Sequence, residues 1–287
     1  YNASRSDMAS MPQLIKPSML VIGEELIPFS QSNNYSSEYG DLLDDEQKRG
    51  VDMMLSSLLD REDSNLGTTD GGFLLADGTG FGKTRQLLSV ADQWVKETGS
   101  KVLIVTENKE TIEGSFFDDA EALGIDLDQF EITTYTEIGG PSKRAKQLLD
   151  EKYGLVIYDE AHNMKNILSP RAEIATGINS EKAVFATATP LDTAGGGAYF
   201  LSKVTGIPEE RVQESLGLKL MTGAGGMKYW DSVLTPREVN ARLAQYRSQL
   251  IENGLMMRRV HPFYGNIIST SVPMQEAVKA EQDDIVA

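Results

Sequence analysis

Short apolar runs alternate with stretches of helical periodicity through the first two thirds of the chain, and this alternation narrows the fold more than any other feature. The runs fall at 73–76, 101–106, 130–135, 155–158 and 183–187, with helical spacing between them at 84–96, 109–123 and 142–151. Parallel neighbours in a sheet need crossover connections, which helices supply while covering the sheet. Strands covered on both faces are continuously apolar rather than alternating. The expected fold class is therefore α/β, a doubly wound, mostly parallel sheet with helices on both faces. A further helix is predicted over 45–59 from Val51, Met54, Leu55 and Leu58, followed by a polar loop over 60–72. A Ser/Asn-rich lead-in occupies 29–37, and regular structure is expected to begin near Leu42.

After Pro190 the pattern changes. Gly195, Gly196 and Gly197, and the glycines between 223 and 226, read as flexible punctuation around short helices. A clear helix follows: Thr235 as N-cap, Pro236 at the first helical position, Glu238 completing a capping box, and Gly254 at the C-terminal end. It is expected to pack outside the sheet.

Composition then excludes several classes. With 287 residues, 40% of them hydrophobic, the chain can bury a full core. Zero cysteines and two histidines rule out disulfides and thiolate sites and leave little material for zinc, so any metal should be oxygen-liganded. A net charge of −16 argues against a surface that grips nucleic acid throughout, although a local basic strip is compatible with it. No apolar run reaches the ~18 residues that a membrane span needs, and no leader pattern opens the chain, so a cytosolic protein without a membrane partner is expected. Tyr1 in place of an initiator methionine leads to the expectation of a processed chain or a fragment.

The chemistry concentrates in three places. Ala76-Asp77-Gly78-Thr79-Gly80-Phe81-Gly82-Lys83-Thr84 lies between a strand and a helix, where a phosphate-cradling loop belongs. Glycines let backbone N–H groups approach phosphate oxygens, Lys83 adds a cation for the β and γ phosphates of ATP, and the Thr84 hydroxyl reaches Mg²⁺. Gly78, Thr79, Gly80, Phe81, Gly82, Lys83, Thr84 and the adjoining Arg85 are the candidate ATP-binding residues. Asp77 stands where the strict motif has glycine. Second, the apolar run 155–158 ends in Asp159 and Glu160. At the carboxyl end of such a strand, Asp159 can reach the metal through water while Glu160 polarises the attacking water. Lys83, Asp159 and Glu160 are the candidate catalytic residues, with Thr84 and Asp159 as the metal pair. Third, Thr187 and Thr189 in Phe185-Ala186-Thr187-Ala188-Thr189-Pro190 can sense the phosphate site, or can satisfy strand-end backbone groups.

In this order the motifs resemble those of superfamily 2 helicases and translocases: ADGTGFGKT resembles motif I, YDEAH motif II and ATATP motif III. DEAHNMKN, with its Lys165-Asn166 pair, is similar to the Swi/Snf-type remodellers and the strawberry notch proteins, which also carry Ala-Asp before the loop. The stretch 102–107 resembles motif Ia, Ile132-Thr133-Thr134-Tyr135 the strand before motif II, and 252–259 with a strand-like 266–273 the end of a first lobe. The resemblance implies a RecA-like P-loop domain that hydrolyses ATP with Mg²⁺ and acts on nucleic acid, here duplex DNA. It also implies that Gln47 recognises adenine and that His162 couples the nucleotide to the nucleic-acid side. Arg258 and Arg259 read as a solvated or interlobe basic pair without a catalytic role. The expected division is 1–41 as a partly irregular extension, 42–205 as the ATP-binding domain, and 206–287 as a helical appendage leading to a second RecA-like lobe that the sequence does not contain. A nucleotide-binding scaffold that engages a protein partner with little hydrolysis is the alternative. A small-molecule kinase is disfavoured, because no arginine-rich lid follows the loop.

Overall fold

A computed structural model of the protein describes residues 19–22, 25–28, 33–60, 71–78, 80–166, 168–191, 194–223 and 228–259. Thr79, the loop residues 61–70, residues 224–227, the strand-like stretch 266–273 and the C-terminal residues 275–287 lie outside the described residues.

The predicted strands become β3 (Gly71–Leu75), β4 (Val102–Thr106), β5 (Glu131–Thr134), β6 (Lys152–Tyr158) and β7 (Asn179–Ala186), after a hairpin of β1 (Met19–Ile22) and β2 (Glu25–Pro28). All residues of β4 are buried, as are those of β6 after its first. Successive side chains of a strand point to opposite faces, so Leu74, Leu103, Val105, Val156 and Phe185 enter one core while Phe73, Leu75, Ile104, Ile157 and Val184 enter the other. The second core is closed by α1 (Asp45–Leu55), α2 (Lys83–Thr98) and the run from α3 (Lys109–Thr111) to α4 (Phe117–Leu123). The first is closed by α5 (Lys143–Asp150), α6 (Pro170–Gly177), α7 (Ala194–Thr205), α8 (Glu209–Ser215) and α9 (Pro236–Glu252). This is the doubly wound sandwich expected from the alternation.

The described part of the chain after residue 205 contains more than helices. Leu218–Thr222 and Lys228–Ser232 form an antiparallel hairpin, β8 and β9. Helix α9 begins with the expected capping box of Thr235 and Glu238 and buries Val239, Leu243, Tyr246, Leu250 and Ile251 in the first core. It then delivers a two-residue strand, β10 (Met256–Met257), to the edge of the main sheet. The six strands run parallel in the order β10-β3-β7-β6-β4-β5.

Two expectations are corrected. Order begins before Leu42: the 3₁₀ segment Tyr35–Leu42 buries Tyr39, whose hydroxyl donates to Asp92 at 2.6 Å and lies 3.1 Å from the Ser89 carbonyl on α2. The glycines 195–197 are not flexible punctuation but lie in the first turn of α7. A Cβ on Gly196 would sit 2.9 Å from the Lys165 Cα, so the absent side chain is what allows α7 to lie against the chain following β6.

Candidate active site

The strand order decides where the chemistry converges. Strands β3, β7 and β6 are adjacent, with Leu75 level with Ala186 and Tyr158 level with Phe185. Their carboxyl ends therefore bring the 76–84 loop, the 187–189 turn and the Asp159-Glu160 pair to one edge of the sheet, the position at which open α/β sheets bind ligands.

The loop is bent by Gly80 (φ 91°) and by Gly82 (φ 63°), which is also the N-cap of α2. Gly82 is required twice over: its backbone is left-handed, and a Cβ there would lie 2.2 Å from Gln47 Nε2. Gln47 is thus brought against the loop, although 34 intervening residues separate it from Gly82 in the sequence. Its carbonyl oxygen Oε1 is held by the Asp44 amide at 3.1 Å in the capping box that opens α1. Lys83 donates to the carbonyls of Asp77 and Gly78, both at 3.2 Å, so its ammonium arches over its own loop. Thr84 is half-buried in the first turn of α2. Arg85 is not brought to the loop: about 100° further round the helix, its Nε donates to Asp119 of α4 at 2.7 Å and a guanidinium nitrogen reaches the Leu42 carbonyl.

Asp159 is 5% exposed and accepts a hydrogen bond from the Thr106 hydroxyl at 3.1 Å. Burial, with a smaller contribution from the neighbouring Glu160 charge, pushes its carboxyl up from the ordinary 3.8 to about 6. The Thr106 hydrogen bond, the Glu160 amide and the positive charge of Lys83 act in the opposite sense. Glu160 sits at φ 47°, the sole non-glycine residue with positive φ among those described, a strain of the kind that clusters at functional sites. Its carbonyl is held by the amide and side chain of Asn163 at 3.0 and 3.1 Å, and Arg171 in turn donates to Asn163. Its carboxylate lies 3.0 Å from His162 Nδ1. Thr187 is buried, its amide donating to the Leu75 carbonyl and its hydroxyl accepting from the Thr189 amide at 3.4 Å. The Lys165 ammonium donates to the Thr189 hydroxyl at 2.8 Å, a link between the second and third motifs that sequence reading did not find.

Arg259 corrects the reading of a solvated basic pair. Arg258 is exposed, but Arg259 is 5% exposed and grips Asp77, whose side chain is fully buried. Its Nε lies 3.1 and 3.0 Å from the two Asp77 oxygens, and its amide donates to the same carboxylate at 2.9 Å. The departure of Asp77 from glycine was the one available signal: a buried carboxylate needs a cation.

These residues fit a Mg²⁺-triphosphate. The loop offers an ammonium, a hydroxyl and backbone N–H groups at a helix start. Among the described residues no group of three or more His, Cys, Asp or Glu side chains is placed to hold a metal ion. A cation would therefore rest on Thr84, Asp159, phosphate oxygens and water, the sparse protein ligation usual for Mg²⁺. No helix among the described residues is long and apolar enough to cross a membrane.

No protein-family model matches the chain, and no curated protein sequence matches it. Among solved structures it is similar to the Sulfolobus solfataricus SWI2/SNF2 ATPase core in complex with dsDNA, with a TM-score of 0.53 and 18% identity over 80% of this chain and 47% of that one. It is also similar to the SWI2/SNF2 ATPase core domain of the same organism, with a TM-score of 0.53 and 18% identity over 90% of this chain and 50% of that one. The fold is thus a RecA-like α/β domain. The chain spans about half the length of each structure.

Proposed function

We propose that the chain is the ATP-binding and hydrolysing lobe of a superfamily 2 motor that acts on duplex DNA together with a second RecA-like lobe. The observation that carries this reading is the meeting of Lys83, Asp159-Glu160 and Thr187–Thr189 at the ends of three adjacent strands. The likeness to ATPase cores, one of them bound to dsDNA, supports it.

In this reading the loop amides and Lys83 bind the β and γ phosphates, the ammonium leaving the Asp77 and Gly78 carbonyls to do so. Bound Mg²⁺ supplies charge neutralisation at the phosphate oxygens. Thr84 and Asp159 are the residues that would hold that ion. Gln47, beside Gly82, selects the base. Glu160 orients a water for attack on the γ-phosphorus and takes its proton as ADP leaves. His162 on the Glu160 carboxylate, and Lys165 on Thr189, carry the state of the phosphate site toward the nucleic-acid side.

Phosphate release measured with and without duplex DNA, for the parent and for Glu160→Gln, tests this. The amide keeps the shape and cannot accept the proton, so nucleotide should still bind while release falls about 100-fold or more. Release at the parent rate would remove Glu160 from the mechanism. Nucleotide binding with release that DNA does not alter would replace the motor by the scaffold reading.

A further inference from the structure

Three glycines within five positions, Gly78, Gly80 and Gly82, make the phosphate loop intrinsically floppy, and a floppy loop gives up affinity when it must be ordered on binding. The fold holds this loop from outside the motif. Strand β10 pairs with β3, and its hydrogen bonds continue past the strand: the Ala76 amide donates to the Met257 carbonyl at 2.7 Å and the Gly78 amide to the Arg259 carbonyl at 2.9 Å. The Arg259 side chain then fans out beneath the loop. It pairs with Asp77, donates to Gln86 Oε1 of α2 at 3.0 Å, reaches the Glu46 carbonyl next to Gln47, and lies 5.2 Å from the centre of the Phe81 ring. Gln86 passes the hold onward, its Nε2 donating to the Phe81 carbonyl at 2.9 Å. Space for this arrangement comes from Gly50 of α1, where a Cβ would lie 1.9 Å from Gln86 Oε1 and 3.4 Å from the guanidinium.

We propose that Arg259 is a positioning residue that sets the conformation of the phosphate loop: it fixes Asp77, Gly78 and Phe81 so that the loop amides are presented to a polyphosphate. It touches no reacting atom. The inference rests on the ATP reading for its ligand, while the loop-holding itself is a property of the nucleotide-free chain. It makes the seating of β10, which follows α9, a condition for a formed nucleotide site.

Arg259→Ala alone would strand the buried Asp77 carboxylate and threaten folding, so the test uses the double variant Asp77→Asn/Arg259→Gln, which removes both charges together. Three quantities are compared with the parent: the thermal midpoint, hydrogen exchange of the peptide spanning 77–83 without nucleotide, and affinity for a non-hydrolysable Mg-ATP analogue. Arg259→Lys, which keeps the charge and loses the fork, should fall between the two. The expected result is a midpoint close to the parent, with loop amides exchanging at least about tenfold faster while β4 and β6 are unchanged, and affinity down about 10- to 100-fold. A double variant whose loop protection equals the parent's would overturn the proposal, since the pair would then be a structural bridge and nothing more. Faster loop exchange in a protein whose parent binds no nucleotide would support the loop-holding and refute the ATP reading.

Discussion

Asp159→Asn should stabilise the nucleotide-free protein. The native carboxyl is held near 6 rather than 3.8, mainly by burial, so above that range the folded chain carries an ionised group in a poor environment. The difference corresponds to about 3 kcal/mol when fully expressed. The sign follows from proton counts: between about pH 4 and pH 6 the folded state binds more protons than the unfolded one, so stability falls as pH rises through that window and is level above it. Asparagine carries no charge and can still accept the Thr106 hydroxyl, so at pH 8 the variant should gain up to about 3 kcal/mol, or roughly 5–10 °C in the midpoint for a chain of this size. At pH 5, where the folded carboxyl is mostly protonated, the gain should shrink to about half. Thermal unfolding followed by circular dichroism, with a chelator present, measures both. An equal gain at the two pH values, or a loss at pH 8, would refute the argument that Asp159 is a desolvated charge kept for its ligand.

Lys83→Ala should weaken binding of a non-hydrolysable Mg-ATP analogue at least about 100-fold, because the triphosphate loses the loop's own ammonium; titration calorimetry that finds unchanged affinity in the folded variant would dismiss the loop as a phosphate site. Gly82→Ala should cost about 1–2 kcal/mol from its left-handed backbone and displace Gln47. Preference for ATP over GTP should then narrow, and competition binding that finds it intact would separate Gln47 from base recognition. Binding to duplex DNA should be weak and steeply salt-dependent, since a net charge of −16 leaves only local cations to meet phosphate; fluorescence anisotropy showing tight binding in high salt would contradict it.

Much of the fold was legible because it rests on local rules. Fully buried parallel strands must be largely apolar, and 102–105 and 155–158 are continuously so. The capping residues Thr235, Pro236 and Glu238 act on their own helix within one turn and need no distant partner to be recognised. The 76–84 segment and the Asp159-Glu160 pair could be located for a similar reason, since each is a short run that directly follows a strand. Where local rules ended, so did the reading. Arg85 adjoins Thr84 in the chain, yet the helical turn carries it away to Asp119.

What only the tertiary structure decided is which strand ends are neighbours and which distant side chains meet there. Chain order does not contain the spatial order β3-β7-β6, so nothing local places Thr187 beside the loop or Lys165 on Thr189. The two residues of β10 are too short for any periodic signal, and their pairing with Leu74 and Leu75 of β3 joins segments about 180 positions apart in the chain. Arginine is ordinarily a solvated residue, so the pair Arg258-Arg259 looks the same whether one member is buried or neither is. Arg259 is buried because Asp77, 182 residues earlier, lies fully buried at the end of β3, and a carboxylate taken out of water there is tolerable only with a cation against it.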